Sequence, residues 1–582
     1  MRTFRLALAQ VNPTVGDIAG NTGIVLRRID EARDQQADLV ALPELMLTGY
    51  PPEDLLLKPS FIHDNLAALD RVVAASRDIA VVVGFVNSEG NQVYNAAALA
   101  CNGELVGVYH KVYLPNYGVF DEDRYFRPGR VCPVYTVNGV AVGVNICEDI
   151  WYALGPVPLQ REAGAEVIVN INGSPYHAGK FASRERMLGT RAADNGLYIG
   201  YVNTVGGQDE LIFDGASVVL DVDGVPVARA AQFQEELLVA DLDIERVFHR
   251  RLRAPLDRKE TASTLEAIGR TEQVHVSDFE PRDRAPLPER MAEPLDPVGE
   301  VYNALVLGTR DYVRKNGFRK VLVSLSGGID SSLTCVVAVD ALGADNVEGI
   351  AMPSRYSSDG SVTDSEDLAQ ALGVPLRIVP IEDVHGAMET ALHPIFDGTE
   401  PNIAEQNVQA RIRGNLLMAV SNKFGWLVLP TGNKSELAMG YATLYGDMAG
   451  GFGVIKDVPK TLVYELSEWR NRNGDPAAPI PQSVIDKPPS AELKPDQRDD
   501  DDLPPYSLLD QVLELYVEQD RSYDEMVEMG YDAAIVQRVM RAVDRNEFKR
   551  RQGAVGIKIT PRAFGRDRRM PIVNRYLGNG RG

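Results

Sequence analysis

VLVSLSGGIDSSL, residues 321–333, decides how the second half of this chain folds. An apolar run leads into Ser326, Gly327 and Gly328, and a helix-like stretch follows. In such a turn, successive backbone N–H groups and the positive end of the helix dipole favour a phosphate. The Walker pattern would place a lysine beside the hydroxyl that ends the loop; here Asp330 precedes Ser331 and Ser332. A carboxylate in a phosphate cradle repels its ligand unless a divalent cation lies between them, so Asp330 is read as a Mg²⁺ ligand. Ser324, Ser326, Ser331 and Ser332 add hydroxyl donors. The plainer alternative is a serine-rich helix start in which Asp330 only favours the first turn.

Downstream, GIAMPS, RIVPI and LVLPTGN alternate with helical stretches, beginning with PVGEVYNALVLGTRDYVRKNG upstream of the loop. That cadence predicts a parallel, doubly wound sheet over 291–582 with its site at the carboxyl ends of the strands. Upstream, FRLALAQV, ADLVALPEL, IAVVVGFV, VAVGVNIC and EVIVNING alternate with stretches such as NTGIVLRRIDEARDQQ, which predicts a layered α/β sandwich over 1–243. Between them, RVFHRRLRAPLDRKETAS and FEPRDRAPLPERMAEPLDP are rich in charge and proline, and 244–290 is read as a linker. PPSAELKPDQRDDDDLPP, 488–505, reads as a polar loop whose aspartates, Asp499 to Asp502, are solvated rather than metal-binding.

The whole chain sets outer limits. Its 582 residues exceed one domain at a prior of ~150 residues each. A formal charge of −22 disfavours nonspecific binding to nucleic acid or acidic membranes, so anionic substrates need local basic residues. No apolar run reaches the ~18 residues of a membrane helix, and MRTFRLALAQV enters a strand pattern without a cleavage site. Cys101, Cys132, Cys147 and Cys335 show neither metal-ligand spacing nor a paired framework. A cytoplasmic protein with reduced thiols is expected.

Three upstream stretches carry a second chemistry: ALPELMLTGYPPED with Glu44, YHKVYLPNYGVFDEDRYF with Lys111, and VGVNICEDIW with Cys147. A cysteine nucleophile needs a base for its proton and a cation or donors for the tetrahedral oxyanion. Glu44 can be the base, and Lys111 can stabilise the oxyanion and lower the thiol pKa. Cys147 ends a strand and is followed by Glu148 and Asp149, a polar exit; the other three cysteines read as core residues. His177 and the remaining histidines match no cysteine-protease pattern.

These motifs carry resemblances. SGGIDS resembles the pyrophosphatase loop of enzymes that split ATP between its α and β phosphates and adenylylate a carboxylate or carbonyl oxygen. Asparagine, GMP and argininosuccinate synthetases and tRNA-modifying enzymes are similar there, so this loop alone leaves the substrate open. EQNVQARIRGN (405–415), LPTGNKSELAMGYATLYGDMAGGFGVIKDVPKT (429–461) and EFKRRQGAVGIKIT (547–560) together resemble the NAD⁺ synthetases. The Glu, Lys, Cys set resembles the nitrilase superfamily, and its surroundings look like the glutaminase domain of glutamine-dependent NAD⁺ synthetases.

The resemblance implies a nitrilase-like α-β-β-α sandwich followed by a doubly wound parallel sheet of the adenine nucleotide alpha hydrolase-like type. It implies Glu44 as general base, Lys111 as oxyanion stabiliser and Cys147 as nucleophile, with Tyr117, Glu122, Ser174 and Lys180 around glutamine. Some relatives carry arginine where Lys180 stands. ATP would be held by Ser324, Leu325, Ser326, Gly327, Gly328, Ile329, Asp330 and Ser331 with Arg411, Thr431 and Lys460, the last in the family's mobile loop. Asn407, Glu436 and Lys549 would bind deamido-NAD⁺, and Asp330 and Glu436 Mg²⁺. The implied reaction amidates deamido-NAD⁺ with ammonia from glutamine, through an adenylate, releasing AMP and pyrophosphate. The implied assembly is a homo-oligomer, a dimer through the synthetase domain or larger. Two alternatives stay open: a nitrilase-coupled amidotransferase for another carboxylate, and an ammonia-only synthetase whose first half is a silent binding module.

Overall fold

The structure, a computed structural model, describes residues 2–253, 268–495 and 497–576. The chain divides into two compact units, Met1–Gln208 with Phe213–Leu295 and Asp209–Ile212 with Asp296–Gly582.

The first unit is built on two sheets. One runs in the order β14 (Glu236–Asp243), β1 (Thr3–Gln10), β2 (Leu39–Ala41), β3 (Ala80–Glu89), β4 (Gln92–Cys101), β5 (Glu104–His110). The other runs β13 (Pro226–Arg229), β12 (Val218–Leu220), β9 (Tyr198–Asn203), β8 (Val167–Asn172), β7 (Val140–Ile146), β6 (Val131–Val137), β15 (Arg270–His275). A short hairpin, β10 (Val205–Gln208) with β11 (Leu211–Asp214), stands apart.

The strands are apolar on both faces because both faces are covered. Along β1, Phe4, Leu6 and Leu8 point into the core between the sheets, while Ala7 and Ala9 meet helices α1 (Ile18–Asp34) and α2 (Pro59–Ala75). Along β8, Val167, Val169 and Ile171 point into the same core, and Ile168 packs with α3 (Pro156–Glu162) and α4 (Lys180–Asn195). Helix, sheet, sheet, helix is the α-β-β-α sandwich the motifs implied.

The segment 244–290, read as a linker, is more than a tether. Its residues 254–267 lie outside the described residues. Before them stands α5 (Glu245–Arg253), and after them β15 pairs in parallel with β6 along its whole length, Arg270 opposite Val131 to His275 opposite Thr136. An edge strand needs only backbone pairing on one side, and every residue of β15 but Val274 is exposed, so its composition resembles a loop's. The chain beyond β15 is anchored by Asp38. That buried carboxylate accepts a forked pair from Arg284, with Arg284 Nη1 at 2.8 Å, and also bonds the Arg5 N–H (2.8 Å) and Asn138 Nδ2 (3.0 Å).

The second unit has a four-stranded parallel sheet in the order β18 (Leu376–Ile378), β17 (Val347–Ala351), β16 (Val321–Ser324), β19 (Leu427–Leu429). The chain steps outward from β16 through α7 (Ile329–Leu342), β17, α8 (Asp359–Leu372), β18, α9 (Glu382–Phe396) and α10 (Ile403–Phe424), then returns to add β19 on the other side. α10 packs Val408, Ile412 and Leu417 on Leu322, Ile350 and Val428 of the sheet. The order reverses between β16 and β19, and a crevice forms where the two outgoing loops diverge. Those loops are SGGIDS and PTGNK. α6 (Pro297–Lys315), α11 (Lys434–Met439) and α12 (Lys460–Asn473) complete the helices that matter for the site.

Replacing Asp38 with alanine strands a buried guanidinium, so Asp38→Ala is expected to cost about 3–5 kcal/mol. Chemical denaturation should show that loss, and limited proteolysis should cut first within 277–290.

Candidate active site

Two sites form, one in each unit. In the first, the three residues singled out by chemistry come from the carboxyl-terminal sides of three strands: Glu44 follows β2, Lys111 follows β5 and Cys147 follows β7. All three are buried. Lys111 Nζ donates to Glu44 Oε1 at 2.7 Å and to Glu122 at 2.9 Å. Glu44 Oε2 accepts the Gly173 N–H at 2.8 Å, and Tyr50 Oη donates to Glu122 at 2.9 Å. A Cβ on Gly173 would sit 2.9 Å from the Tyr50 ring, so only glycine lets this backbone donor reach the carboxylate.

Cys147 opens a 3₁₀ turn, Cys147–Ile150, with φ of 45°, a left-handed conformation that costs a non-glycine residue energy. Asp149 holds that turn against the lysine strand. Its carboxylate accepts the N–H groups of Val112 (3.1 Å), Tyr113 (2.9 Å) and Ile146 (3.1 Å) and the Tyr109 hydroxyl (2.6 Å).

Electrostatics give these groups distinct roles. Burial works against the Lys111 charge, but Glu122 and Glu44 outweigh it and raise its pKa well above the ordinary lysine value. Burial raises Glu122 to about 7, with Lys111 opposing. Burial also pushes the Cys147 thiol well up; Glu44 adds to that and Lys111 only opposes it. The sequence expectation that Lys111 lowers the thiol pKa is right in sign for the lysine and wrong for the sum. Burial and Glu44 therefore work against a thiolate here, and a Cys147 that served as nucleophile would need a base.

At the mouth, Tyr117 Oη donates to both oxygens of Glu148 at 3.0 Å, Lys180 Nζ donates to the Pro175 carbonyl at 2.6 Å, and Ser174 is buried, its N–H bonded to Asn203 Oδ1 at 3.0 Å. The sequence reading noticed Glu148 and Asp149 only as a polar exit and missed Tyr50 and Asn95. Asn95 sits on an apolar strand, where no spacing reveals what its amide touches.

In the second unit, a cavity of about 270 Å³ opens over the SGGIDS loop. Ser324 to Ser331 line it with Thr431, Glu436 and Lys460. Gly327 has φ of 75°, and a Cβ there would lie 2.3 Å from the Ser361 carbonyl oxygen, so the loop requires glycine. Ser331 Oγ bonds the Gly328 carbonyl at 3.0 Å and accepts the Ser326 N–H at 3.3 Å, which closes the turn. Lys460 is buried at the first position of α12 rather than in a loop, ion-paired to Asp330 and 3.9 Å from Glu436. Asn433 Nδ2 donates to Asp330 Oδ1 at 2.9 Å.

Asn407, Arg411 and Lys549 do not line this cavity. They gather instead on the loop 440–444 beside it. Asn407 accepts from Thr443 Oγ1 (2.7 Å), Arg411 donates to the Leu444 carbonyl (3.2 Å), and Lys549 to those of Gly440 (2.7 Å) and Ala442 (3.0 Å). Arg413, two positions on and so on another face of α10, lines the cavity and bonds the Met352 carbonyl at 3.0 Å.

One loop expectation needs correcting. Asp500, Asp501 and Asp502 are exposed, but Asp499 is buried in the cavity wall. Its Oδ2 accepts the Tyr506 hydroxyl at 2.8 Å and its Oδ1 has no partner. A short 3₁₀ turn, Asp499–Asp501, swings the first acid of the run inward, which a charge count cannot detect. Lys487 was also missed; it donates to Asp364 (2.7 Å) and to Ser361 Oγ (3.1 Å) at the cavity edge.

Comparison with known proteins fits this geometry. The carbon-nitrogen hydrolase family matches residues 5–251 and the NAD synthase family residues 301–553. Fold and sites define a two-site enzyme that joins a carbon–nitrogen hydrolase to an NAD synthase. A glutamine-dependent NAD(+) synthetase of Thermotoga maritima is 48% identical over 99% of both chains, and one of Aquifex aeolicus is 46% identical over 99% of this chain and 100% of its own. The structure of the Acinetobacter baumannii glutamine-dependent NAD+ synthetase in complex with ADP is 41% identical, covers 98% of this chain and 99% of its own, and superposes with a TM-score of 0.74. The chain belongs to the glutamine-dependent NAD⁺ synthetases.

Gly327→Ala is expected to weaken ATP binding about ten- to hundredfold, because a Cβ at positive φ also collides with the Ser361 backbone. Calorimetric titration with ATP measures this, and glutamine hydrolysis at the other site should be unchanged.

Proposed function

We propose that the chain makes NAD⁺ by ATP-dependent amidation of deamido-NAD⁺ with ammonia from glutamine. The observation that carries this reading is a complete buried Glu44–Lys111–Cys147 set in one unit together with an acid-bearing phosphate cradle in the other. An ammonia-only synthetase has no use for the first.

Glutamine enters past Tyr117, Ser174 and Lys180. Glu44 takes the Cys147 proton as sulfur attacks the side-chain amide carbon, and Lys111 stabilises the oxyanion. Collapse of the tetrahedral species expels ammonia, which takes the proton from Glu44. Water, deprotonated by Glu44, then cleaves the thioester to glutamate. At the second site the deamido-NAD⁺ carboxylate attacks the α-phosphorus of ATP and pyrophosphate leaves; ammonia displaces AMP from the adenylate. Ser326 to Ser331 cradle the departing pyrophosphate, and Lys460 neutralises it. Asn407 and Lys549, gathered on the loop 440–444, fit the dinucleotide with Glu436; Arg411, expected at ATP, sits on the same loop.

The residues present fit a Mg²⁺ ion. Asp330 and Glu436 offer hard oxygens at the cavity wall. No group of three or more His, Cys, Asp or Glu side chains among the described residues could hold a metal. Two carboxylates with phosphate oxygens and water completing the shell is how proteins usually bind this ion. When bound, Mg²⁺ would neutralise phosphate charge.

A homodimer through the second unit fits the apolar side chains left exposed there, Val384, Met388, Ile395, Ile403, Met418 and Phe424 on α9 and α10. Sedimentation equilibrium tests it. No helix among the described residues is long and apolar enough to cross a membrane, and four buried free cysteines suit the reducing cytoplasm.

Cys147→Ala should make no NAD⁺ from glutamine and near-normal NAD⁺ from concentrated ammonium at mildly alkaline pH. A core role for Cys147 predicts equal effects on both donors, and loss of both activities in a folded variant would sink the two-site reading. Asp330→Asn should abolish synthesis with either donor while glutamine hydrolysis persists, because a neutral amide is a poorer Mg²⁺ ligand. Unchanged synthesis at low Mg²⁺ would take Asp330 out of the metal site.

A further inference from the structure

Asn95 sits at the floor of the first site on β4, wholly buried. Its Nδ2 donates to Glu44 Oε1 at 2.7 Å and lies 3.5 Å from Glu122 Oε2, and its backbone carbonyl accepts the Lys111 backbone N–H at 2.9 Å. The amide orientation is forced, since a flipped Asn95 would aim an acceptor at two carboxylates. Its Oδ1, pointing away from them, has no partner. A buried asparagine that leaves one end unsatisfied while its other end meets the base is arranged for the base, not for the core.

The two acids beside Lys111 could exchange roles. Each receives a bond from the same ammonium. What separates them is the remaining donors: Glu44 gains the Asn95 amide at 2.7 Å and the Gly173 N–H at 2.8 Å, whereas Glu122 gains the Tyr50 hydroxyl and only the long contact to Asn95. Donors to a carboxylate favour its ionised form. We propose that Asn95 is a positioning residue that selects Glu44 over Glu122 as the base for Cys147. This rests on the reading of Glu44, Lys111 and Cys147 as the hydrolytic set.

The charged and titratable groups facing Glu44 are Lys111, Glu122, Cys147, Tyr50 and Glu148. Of these, only Glu122 shares the Asn95 side chain, through the long 3.5 Å contact. Asn95→Leu keeps the approximate shape and removes the donor; Asn95→Asp keeps the size and adds a like charge. Asn95→Leu removes the 2.7 Å donor to Glu44; losing a donor disfavours the charged form of a carboxylate, so the acid limb of any reaction that needs the base moves up.

The experiment follows that limb in two ways. One is kcat/KM for glutamine hydrolysis; the other is the rate at which iodoacetamide alkylates Cys147, read by mass spectrometry of its peptide, which needs no glutamine. Circular dichroism verifies the fold. In Asn95→Leu both limbs should rise by about one pH unit, and in Asn95→Asp by more, while ammonium-driven NAD⁺ formation stays at the wild-type level. If Asn95→Leu does not fold, Asn95→Asp carries the test alone. Limbs that stay in place in the folded variants, with rates lowered equally at every pH, would make Asn95 a packing residue and overturn the inference. A wild type that fails to hydrolyse glutamine would instead overturn the functional reading, and the alkylation profile would still decide the role of Asn95.

Discussion

A single ammonium, that of Lys111, governs the first unit. It is fully buried between Glu44 and Glu122, and a buried ion left without partners costs several kcal/mol. The sandwich must therefore bring the ends of β2 and β5 together with enough accuracy to keep two bonds of 2.7 and 2.9 Å. Its close-packed double core supplies that accuracy, which is why the strands that carry the site are apolar on both faces. The polar network grows outward from the ammonium: Tyr50 satisfies one acid, Asn95 and Gly173 the other, and Asp149 ties the cysteine turn to the same strand end.

The second unit meets a related problem with opposite means. Here acids gather around a glycine-rich loop, and Lys460, entering from the start of α12, offsets Asp330 and Glu436. The cradle owes its place to topology. With β16 central and the chain returning to β19 on its far side, two loops diverge at one end of the sheet, and the glycine at 327 lets one of them pass against the Ser361 backbone.

How much of this was legible depended on whether the cause was local. Strand–turn–helix around SGGIDS was legible because glycine, serine and β-branched residues each have a local conformational meaning. Glu44, Lys111 and Cys147 could be picked out as a candidate set, since few residue sets activate a thiol. What could not be read was set by tertiary placement. β15 looks like a loop because an edge strand can be polar throughout. Asp499 looks solvated because its burial depends on one turn packing against Tyr506. Asn95 looks like an unremarkable interruption of an apolar strand, and the difference between Arg411 and Arg413 is a difference of helix face that only the packing of α10 on the sheet decides.

The burial that pushes the Cys147 thiol pKa up has a further bearing, on the survival of its sulfur. Peroxide attacks thiolates, not thiols, and reaches them only where solvent does. A buried thiol whose pKa is held up presents little of either. The same burial that disfavours the Cys147 thiolate therefore shields its sulfur from oxidation.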